Sequence, residues 1–383
     1  MRSLDQFARD KLAERERDNL RRGIVETELA DGLYVVRNGR RLLSFCSNDY
    51  LNLSQHPAVK RAAAAAAEQY GAGAGASRLV TGSHPLYTEL EARLARMKGA
   101  DGACIFGSGY LANAGILPAL AGRDDLILID ELAHSSMHSG ARLSGAAILQ
   151  FRHNDVAHLR SLLESERMRF KHALIVTEGV FSMDGDLAPL PELSETAHRY
   201  DAWLMSDDAH GIGVLGGGRG SAFATNPPAT IPLQMGTLSK AIGSYGGYLC
   251  ASREVIDLMH NRARTLIYST GLPPAALGAA IAALDIIEGN PDYAALPVKK
   301  ARIFTRAANL PAADSAIVPV RIGEAEAALR AQTLLEQEGF LVVAIRPPTV
   351  PDGTARLRVT FNAAQPDEAI ERLASLIRHR ILS

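Results

Sequence analysis

The sequence predicts an α/β protein: a mostly parallel central sheet with helices on both faces, followed by a small C-terminal α+β domain. Two observations carry that expectation. From about residue 85 to 265, short runs that are apolar at every position alternate with segments whose apolar residues recur at helical spacing. Strands apolar on both faces belong to a parallel sheet buried between helix layers. Beyond a long helix expected near 274–289, the pattern changes to a few strand-like runs and two helices.

Taken in order, the first 45 residues form a helical and strand segment. Its start, "MRSLDQFARDKLAERERDNLRRG", is charged and amphipathic and lacks the apolar core of a signal peptide. "AAAAAA" at 62–67 reads as part of a helix beginning near Pro57, alanine being the best helix former. The strand-like runs are "GACIF" (102–106), "LILID" (126–130), "AILQF" (147–151), "HALIVTE" (172–178), "WLMSD" (203–207), "IPLQMGT" (231–237) and "GGYLCA" (246–251). Between them lie helical segments such as "VAHLRSLLESER" and "LPELSETAHRY". "AALGAAIAALDII" at 275–287 is interrupted by Asp285 and falls short of a membrane span, so it reads as a core helix. "SAIVPVRI", "FLVVAI" and "ARLRVTF", with helices at 323–338 and 366–380, make the small domain. The expected boundaries are 1–45, 46–290 for a large α/β domain, and 291–383 for the small one.

Composition narrows the function. Lysine plus arginine (41) balances aspartate plus glutamate (42), which leaves no electrostatic footprint for nucleic acid or an anionic membrane. Cys46, Cys104 and Cys250 are scattered and odd in number, against a disulfide framework or a zinc site. A reduced, cytoplasmic, metal-free protein is expected.

Open α/β sheets bind ligands beyond the carboxyl ends of their strands. His134 follows "LILIDE", Glu178 and Ser182 lie in "TEGVFSMDGD", Asp207 and His210 in "DDAHGIG", and Thr237 and Lys240 follow "IPLQMG". Any one of these alone reads equally well as a helix cap or a solvated loop residue; their convergence on successive strand ends is the signal. "GSGYLAN" at 107–113 joins a strand to a helix, where backbone N–H groups and the helix dipole favour an anion such as phosphate, although a plain glycine turn has the same composition. "GAGAGASRLVTG" at 71–82 resembles a dinucleotide fingerprint but follows a helical run instead of a strand, so it reads as an active-site loop.

Lys240 stands out because nothing else between Ile231 and Arg253 is charged. Desolvation lowers a lysine pKa from about 10.4 and frees the amine as a nucleophile toward an aldehyde. Pyridoxal phosphate accounts for the set: phosphate at "SGY", a carboxylate (Asp207) for its pyridinium nitrogen, donors for its ring hydroxyl and Lys240 for its aldehyde. The alternative for Lys240 is a strand-end lysine snorkelling to solvent.

The motifs "FCSNDYLNLS", "GAGASRLVTGSHPLYTELE", "TEGVFSMDGDLAPL", "DDAHGIGVLGGGRG", "GTLSKAIGSYGG", "YSTGLPP" and "AIRPPTVPDGTARLRVTF" run almost end to end. As a set the sequence resembles the α-oxoamine synthases, a branch of the fold-type I pyridoxal-phosphate transferases. "IRPPTVPDGTARLR" is most similar to the branch member that condenses L-alanine with a pimeloyl thioester, carried by coenzyme A or acyl carrier protein, in biotin biosynthesis. The resemblance implies that Lys240 is the Schiff-base lysine and the base at the amino-acid Cα. Asp207 would pair with the ring nitrogen, His210 and Ser182 with the hydroxyl side, and His134 would stack on the ring. Gly109, Tyr110, Thr237 and a homodimer partner's Thr270 would hold the phosphate. Glu178 would support the acyl side and Thr354 border the substrate; Arg358 with Asn48, or alternatively Arg356, would grip the amino-acid carboxylate. Arg21, or its neighbour Arg22, would meet the far carboxylate of the acyl chain. Two positions depart from the branch pattern: Tyr110 where phenylalanine is common, and Leu238-Ser239 before Lys240. The rival readings are a branch member using glycine or serine with another acyl thioester, and a non-catalytic partner subunit, which would be expected to lack the lysine.

Overall fold

A computed structural model describes residues 2–17, 20, 21 and 23–382. The chain divides into two compact units, 1–45 with 320–358, and 46–319 with 359–383. The larger is built on a seven-stranded sheet in the order Gly102–Phe106, Gly247–Ala251, Leu233–Thr237, Trp203–Asp207, Ala173–Glu178, Leu126–Asp130, Ala147–Phe151. Gly247–Ala251 runs antiparallel to both neighbours, and the other pairings are parallel. This is the fold-type I transferase architecture that the sequence predicts.

Burial on both faces explains the unbroken apolar runs. Within one strand, Ile127 and Ile129 pack with Ile116, Leu117 and Met137 of the helices Gly109–Leu120 and Ser135–Ser144. Leu126 and Leu128 face the opposite layer, with Leu159, Leu163 and Leu193 of the helices Val156–Glu166 and Leu190–Arg199. Chain order around the sheet reverses at Leu126–Asp130, which has Ala147–Phe151 on one side and Ala173–Glu178 on the other. Such a reversal opens a crevice at the strands' carboxyl ends.

The alanine-rich segment is the helix Pro57–Tyr70, capped by His56, whose side chain accepts from Ala58 N–H. It packs on the helix Pro274–Gly289 at short range: a Cβ on Gly278 would come within 2.8 Å of both Ala62 O and Ala66 Cβ. The alanine run is therefore a close-packing surface. No helix among the described residues is long and apolar enough to cross a membrane.

The smaller unit joins the strands Tyr34–Arg37 and Arg40–Ser44 to Phe340–Leu341, which pairs in parallel with Leu43 and Ser44. This pairing puts residues 1–45 with 320–358, a different division from the expected boundaries at 45 and 290. "FLVVAI" splits into Phe340–Leu341 and Val343–Ile345, which belong to different sheets. The helix Pro291–Ala308, absent from the sequence reading, packs on Asp367–Arg380 within the larger unit, and Phe304 meets Phe361 nearby. Its internal Pro297 masks the helical pattern.

A buried ion pair pins the helix Pro85–Lys98 to the end of the strand Trp203–Asp207: Lys98 Nζ lies 2.6 Å from Asp208 Oδ2, with side chains 1% and 4% exposed. Lys98 also donates to Arg219 O at 2.8 Å, and Asp208 Oδ1 accepts from Ser221 N–H and Oγ–H. Gly220, at φ +112°, closes the cage, because a Cβ there would overlap Asp208 Oδ2 and come within 2.6 Å of Lys98 Nζ. Gly217 has φ +65° but open space around it. Gly220→Ala is expected to cost about 3 kcal/mol or more, as for a broken buried pair, and Gly217→Ala only about 1–2 kcal/mol of backbone strain. Denaturant titration of both variants checks this; equal losses would remove the cage from the explanation.

Candidate active site

The carboxyl ends of the central strands bring Lys240, His210, Asp207, His134 and Glu178 together. Lys240 follows the strand Leu233–Thr237, and its Nζ lies 2.8 Å from His210 Nε2. His210 Nδ1 lies 2.6 Å from the hydroxyl of Tyr50, which donates to Asn48 Oδ1 at 3.3 Å. Asp207 ends its strand buried; its Oδ2 accepts from Asn113 Nδ2 at 2.9 Å and its Oδ1 from Ala209 N–H at 3.0 Å.

Asn113 Nδ2 also donates to Ser136 Oγ at 3.0 Å, and Ser136 Oγ lies 2.7 Å from His134 Nδ1. Ser136 N–H points at the same nitrogen, so His134 Nδ1 is an acceptor and its proton sits on Nε2. Burial lowers the His134 pKa, the Lys240 charge lowers it further, and Asp207 opposes. The ring is neutral near pH 7.

Glu178 is buried, with Oε1 lacking a hydrogen-bond partner among the described residues. Burial pushes its carboxyl well above the usual range and the Asp207 charge adds to that, against Lys240 and the backbone N–H groups of His134 and Ser182 that donate to it. Glu178 thus ties the turn bearing His134 to the loop bearing Ser182.

An anion cradle lies beside this cluster. The helix Gly109–Leu120 is capped by Ser108, whose Oγ accepts from Leu111 N–H at 3.2 Å; the N–H groups of Gly109 and Tyr110 belong to its first turn, where no intrahelical acceptor exists. A Cβ on Gly109 would sit 3.5 Å from Thr237 Cβ, so the terminus abuts the strand end. Thr237 Oγ donates to Gly246 O at 2.7 Å and lies 2.8 Å from the hydroxyl of exposed Ser239. Amide donors, a fixed carboxylate, an amine and a neutral imidazole are the parts that a phosphorylated aldehyde cofactor requires, and these residues fit one.

Thr270 is exposed and bridges to Ser77 of the 71–82 loop. Arg21, Thr354, Arg356 and Arg358 belong to the smaller unit, and Arg22 falls outside the described residues. Arg21 pairs with Glu16 at 2.9 Å and lines a cavity of about 640 Å³ with Arg15 and Arg346. Arg356 and Arg358 are buried on the strand Ala355–Thr360, opposite Ile345 and Val343. Arg356 donates from Nε to Thr354 O at 3.0 Å and from Nη2 to Thr354 Oγ1 at 3.2 Å.

The sequence reading missed Asn113 and Ser136, which orient Asp207 and His134, and Tyr50 behind His210. It also missed His153 and Asn154, although they sit at another strand end. His153 Nδ1 lies 3.1 Å from Asp130 Oδ1 and Nε2 lies 2.8 Å from Asp186 Oδ2. Asp130 also accepts from Leu132 N–H, in the turn leading to His134, and Phe181 N–H bonds Asp186 O in the Ser182 loop. His153 is therefore a second tie between the loops that Glu178 joins.

Burial would lower the His153 pKa, but hydrogen bonds and charges from Asp130 and Asp186 outweigh it and raise it from 6.5 to about 10. A raised histidine pKa stabilises the fold fully below about 6.5, and the contribution is lost as pH rises through about 10. Denaturation midpoints from about pH 6 to about pH 11 should fall more steeply for the wild type than for His153→Gln. Parallel curves would show that His153 carries no charge in the fold.

Comparison with known proteins places this geometry in context. The family model for aminotransferase class I and II matches residues 40–377. A putative 8-amino-7-oxononanoate synthase of Parvibaculum lavamentivorans is 60% identical over 383 residues, covering 100% of this chain and 98% of that protein. The 8-amino-7-oxononanoate synthase of Beijerinckia indica is 59% identical over 377 residues, covering 98% of each. Among solved structures, SPT with PLP internal aldimine superposes with TM-score 0.90 at 28% identity over 96% of both chains. The 8-amino-7-oxononanoate synthase of Francisella tularensis superposes with TM-score 0.76 at 26% identity, over 89% of this chain and 98% of that one.

Proposed function

The chain belongs to the aminotransferase class I and II family, and from that premise we propose that it is a pyridoxal-phosphate acyltransferase condensing L-alanine with a pimeloyl thioester to 8-amino-7-oxononanoate, carbon dioxide and free thiol. The reading rests above all on the Lys240–His210 contact set beside the Asp207 carboxylate, joined to full-length relatives at about 60% identity that carry that activity in their names.

Pyridoxal phosphate, once bound, supplies an aldehyde for the amine and a ring that accepts electrons from the amino-acid Cα. The protein's part is binding, orientation and proton transfer. Gly109 and Tyr110 N–H groups hold the phosphate at the helix terminus, beside Thr237 and Ser239, whose hydroxyls would turn from Gly246 O and from each other to donate to it. Asp207, fixed by Asn113, holds the proton on the ring nitrogen. His210 and Ser182 serve the ring hydroxyl, and neutral His134 offers a flat face to the ring. Lys240 Nζ takes the Cα proton of alanine, and a proton returns to that carbon after carbon dioxide leaves. Glu178 lies on the acyl side, where a raised pKa keeps its carboxyl from repelling an anionic substrate.

Arg358, with Asn48, receives the alanine carboxylate. Arg356, whose Nε and Nη2 donate to Thr354, is the alternative anchor. Arg21, in a cavity that also has Arg15 and Arg346, suits the far carboxylate of the acyl chain. Exposed Leu79, Val80, Tyr110, Tyr245 and Tyr268 support a homodimer in which Thr270 completes the partner's phosphate site. Three unpaired cysteines suit the cytoplasm.

Purified, cofactor-loaded protein should release thiol from a pimeloyl thioester with alanine and far less with glycine or serine. Lys240→Ala should lower the rate roughly 10³-fold or more. Preference for glycine or serine would move the chain to another member of the branch. A protein that stays colourless with added cofactor would overturn the enzyme reading.

A further inference from the structure

Tyr50 is 0% exposed, sits in none of the roles above, and its hydroxyl lies 2.6 Å behind the ring of His210. A phenol has one hydrogen, Asn48 Oδ1 at 3.3 Å can only accept it, and His210 Nδ1 can donate or accept. For both contacts to be hydrogen bonds, the phenol hydrogen must go to Asn48 and His210 Nδ1 must donate. A neutral imidazole protonated at Nδ1 has a bare Nε2, and that nitrogen faces Lys240 Nζ at 2.8 Å. An amine in its ammonium form has donors and no acceptor, and so matches a bare Nε2. The three hydrogen bonds thus run in one direction: Lys240 to His210, His210 to Tyr50, Tyr50 to Asn48.

We propose that Tyr50 is a positioning residue that fixes the tautomer and ring orientation of His210, and through it the direction of the Lys240 amine. The assignment rests on the roles given above to Lys240 and His210, and no substrate needs to be known for it. Burial supports it: a histidine Nδ1–H that is 5% exposed would cost free energy if left without an acceptor, and Tyr50 is the acceptor the fold supplies. The turn that carries the tyrosine is anchored by Asp49, whose carboxylate accepts from Leu53 and Ser54 N–H at 3.0 and 3.1 Å.

The test uses the full chain, cofactor-free and cofactor-loaded, with ¹⁵N-labelled histidine. The chain has 11 histidines, and the His210 signals are assigned by their loss in His210→Asn. In the cofactor-free wild type, His210 should be protonated at Nδ1 and bare at Nε2. Tyr50→Phe keeps the buried ring but removes the acceptor, so the Nε2–H form should become populated while the melting temperature falls by no more than about 5 °C. In the loaded enzyme, Tyr50→Phe should lower kcat by roughly 10- to 100-fold, with KM for the amino acid changed by less than about threefold. A wild-type His210 protonated at Nε2, or Tyr50→Phe with unchanged nitrogen shifts, would overturn the proposal. Wild-type enzyme without thiol release would defeat the substrate assignment and leave the tautomer result to be judged by itself.

Discussion

Two adjacent carboxylates, Asp207 and Asp208, both buried, are the constraint around which the site is arranged. Left together in an apolar interior, two such charges would repel each other, and each would lose hydration. The fold separates their duties. Asp208 is matched by Lys98 and by both donors of Ser221, in a cage that Gly220 keeps open. Asp207 is held by neutral donors, Asn113 and the Ala209 amide, so its charge is oriented without being consumed. Removing Lys98 would leave Asp208 uncompensated beside Asp207, a loss of about 3–5 kcal/mol. Glu178 is the contrast: it is buried without a caging cation, and its pKa is pushed up instead.

From that arrangement follow two hydrogen-bonded chains of opposite outcome. Asp207, Asn113, Ser136 and His134 are linked in series, and His134 ends with its proton on Nε2. Lys240, His210, Tyr50 and Asn48 are linked in the other. Each imidazole has its rear nitrogen fixed by a buried neutral side chain, so the front nitrogen presents a defined group. The outer ties, Glu178 and His153, hold the turns on which His134 and Ser182 stand. Orientation of this kind comes from rigid strand ends and short loops.

The sheet and the residues at its carboxyl ends were legible because burial on both faces writes itself as unbroken apolar runs, against which Lys240 and Asp207 are conspicuous. The alanine run was legible as a helix, though its purpose, close approach to Gly278, needed the partner helix. Tyr50 and Asn113 stayed hidden because their work is done over sequence separations of 160 and 94 residues, and Ser136, two residues from His134, reads in sequence as an ordinary helix start. His153 and Asn154 follow a strand end as His134 does, and the same rule applied to "AILQF" would have found them. The pairing of residues 43 and 44 with 340 and 341 was illegible, since two-residue strands leave no periodic trace.

The groups assigned to the chemistry and those assigned to reading substrate carboxylates come from different compact units. Lys240, His210, Asp207 and His134 stand in the larger one, Arg21, Arg356 and Arg358 in the smaller. The first set must meet demands set by the cofactor, which are the same whatever acyl chain or amino acid is used. The second set must match particular anions. Asn48 stands in both, since it ends the Lys240 hydrogen-bond chain and is the residue proposed to assist Arg358. Changes at sites that share a partner do not add independently. An exchange at Arg358 is therefore expected to reach the His210 tautomer through Asn48, so that recognition of the amino-acid carboxylate and the direction of the Lys240 amine are tuned together.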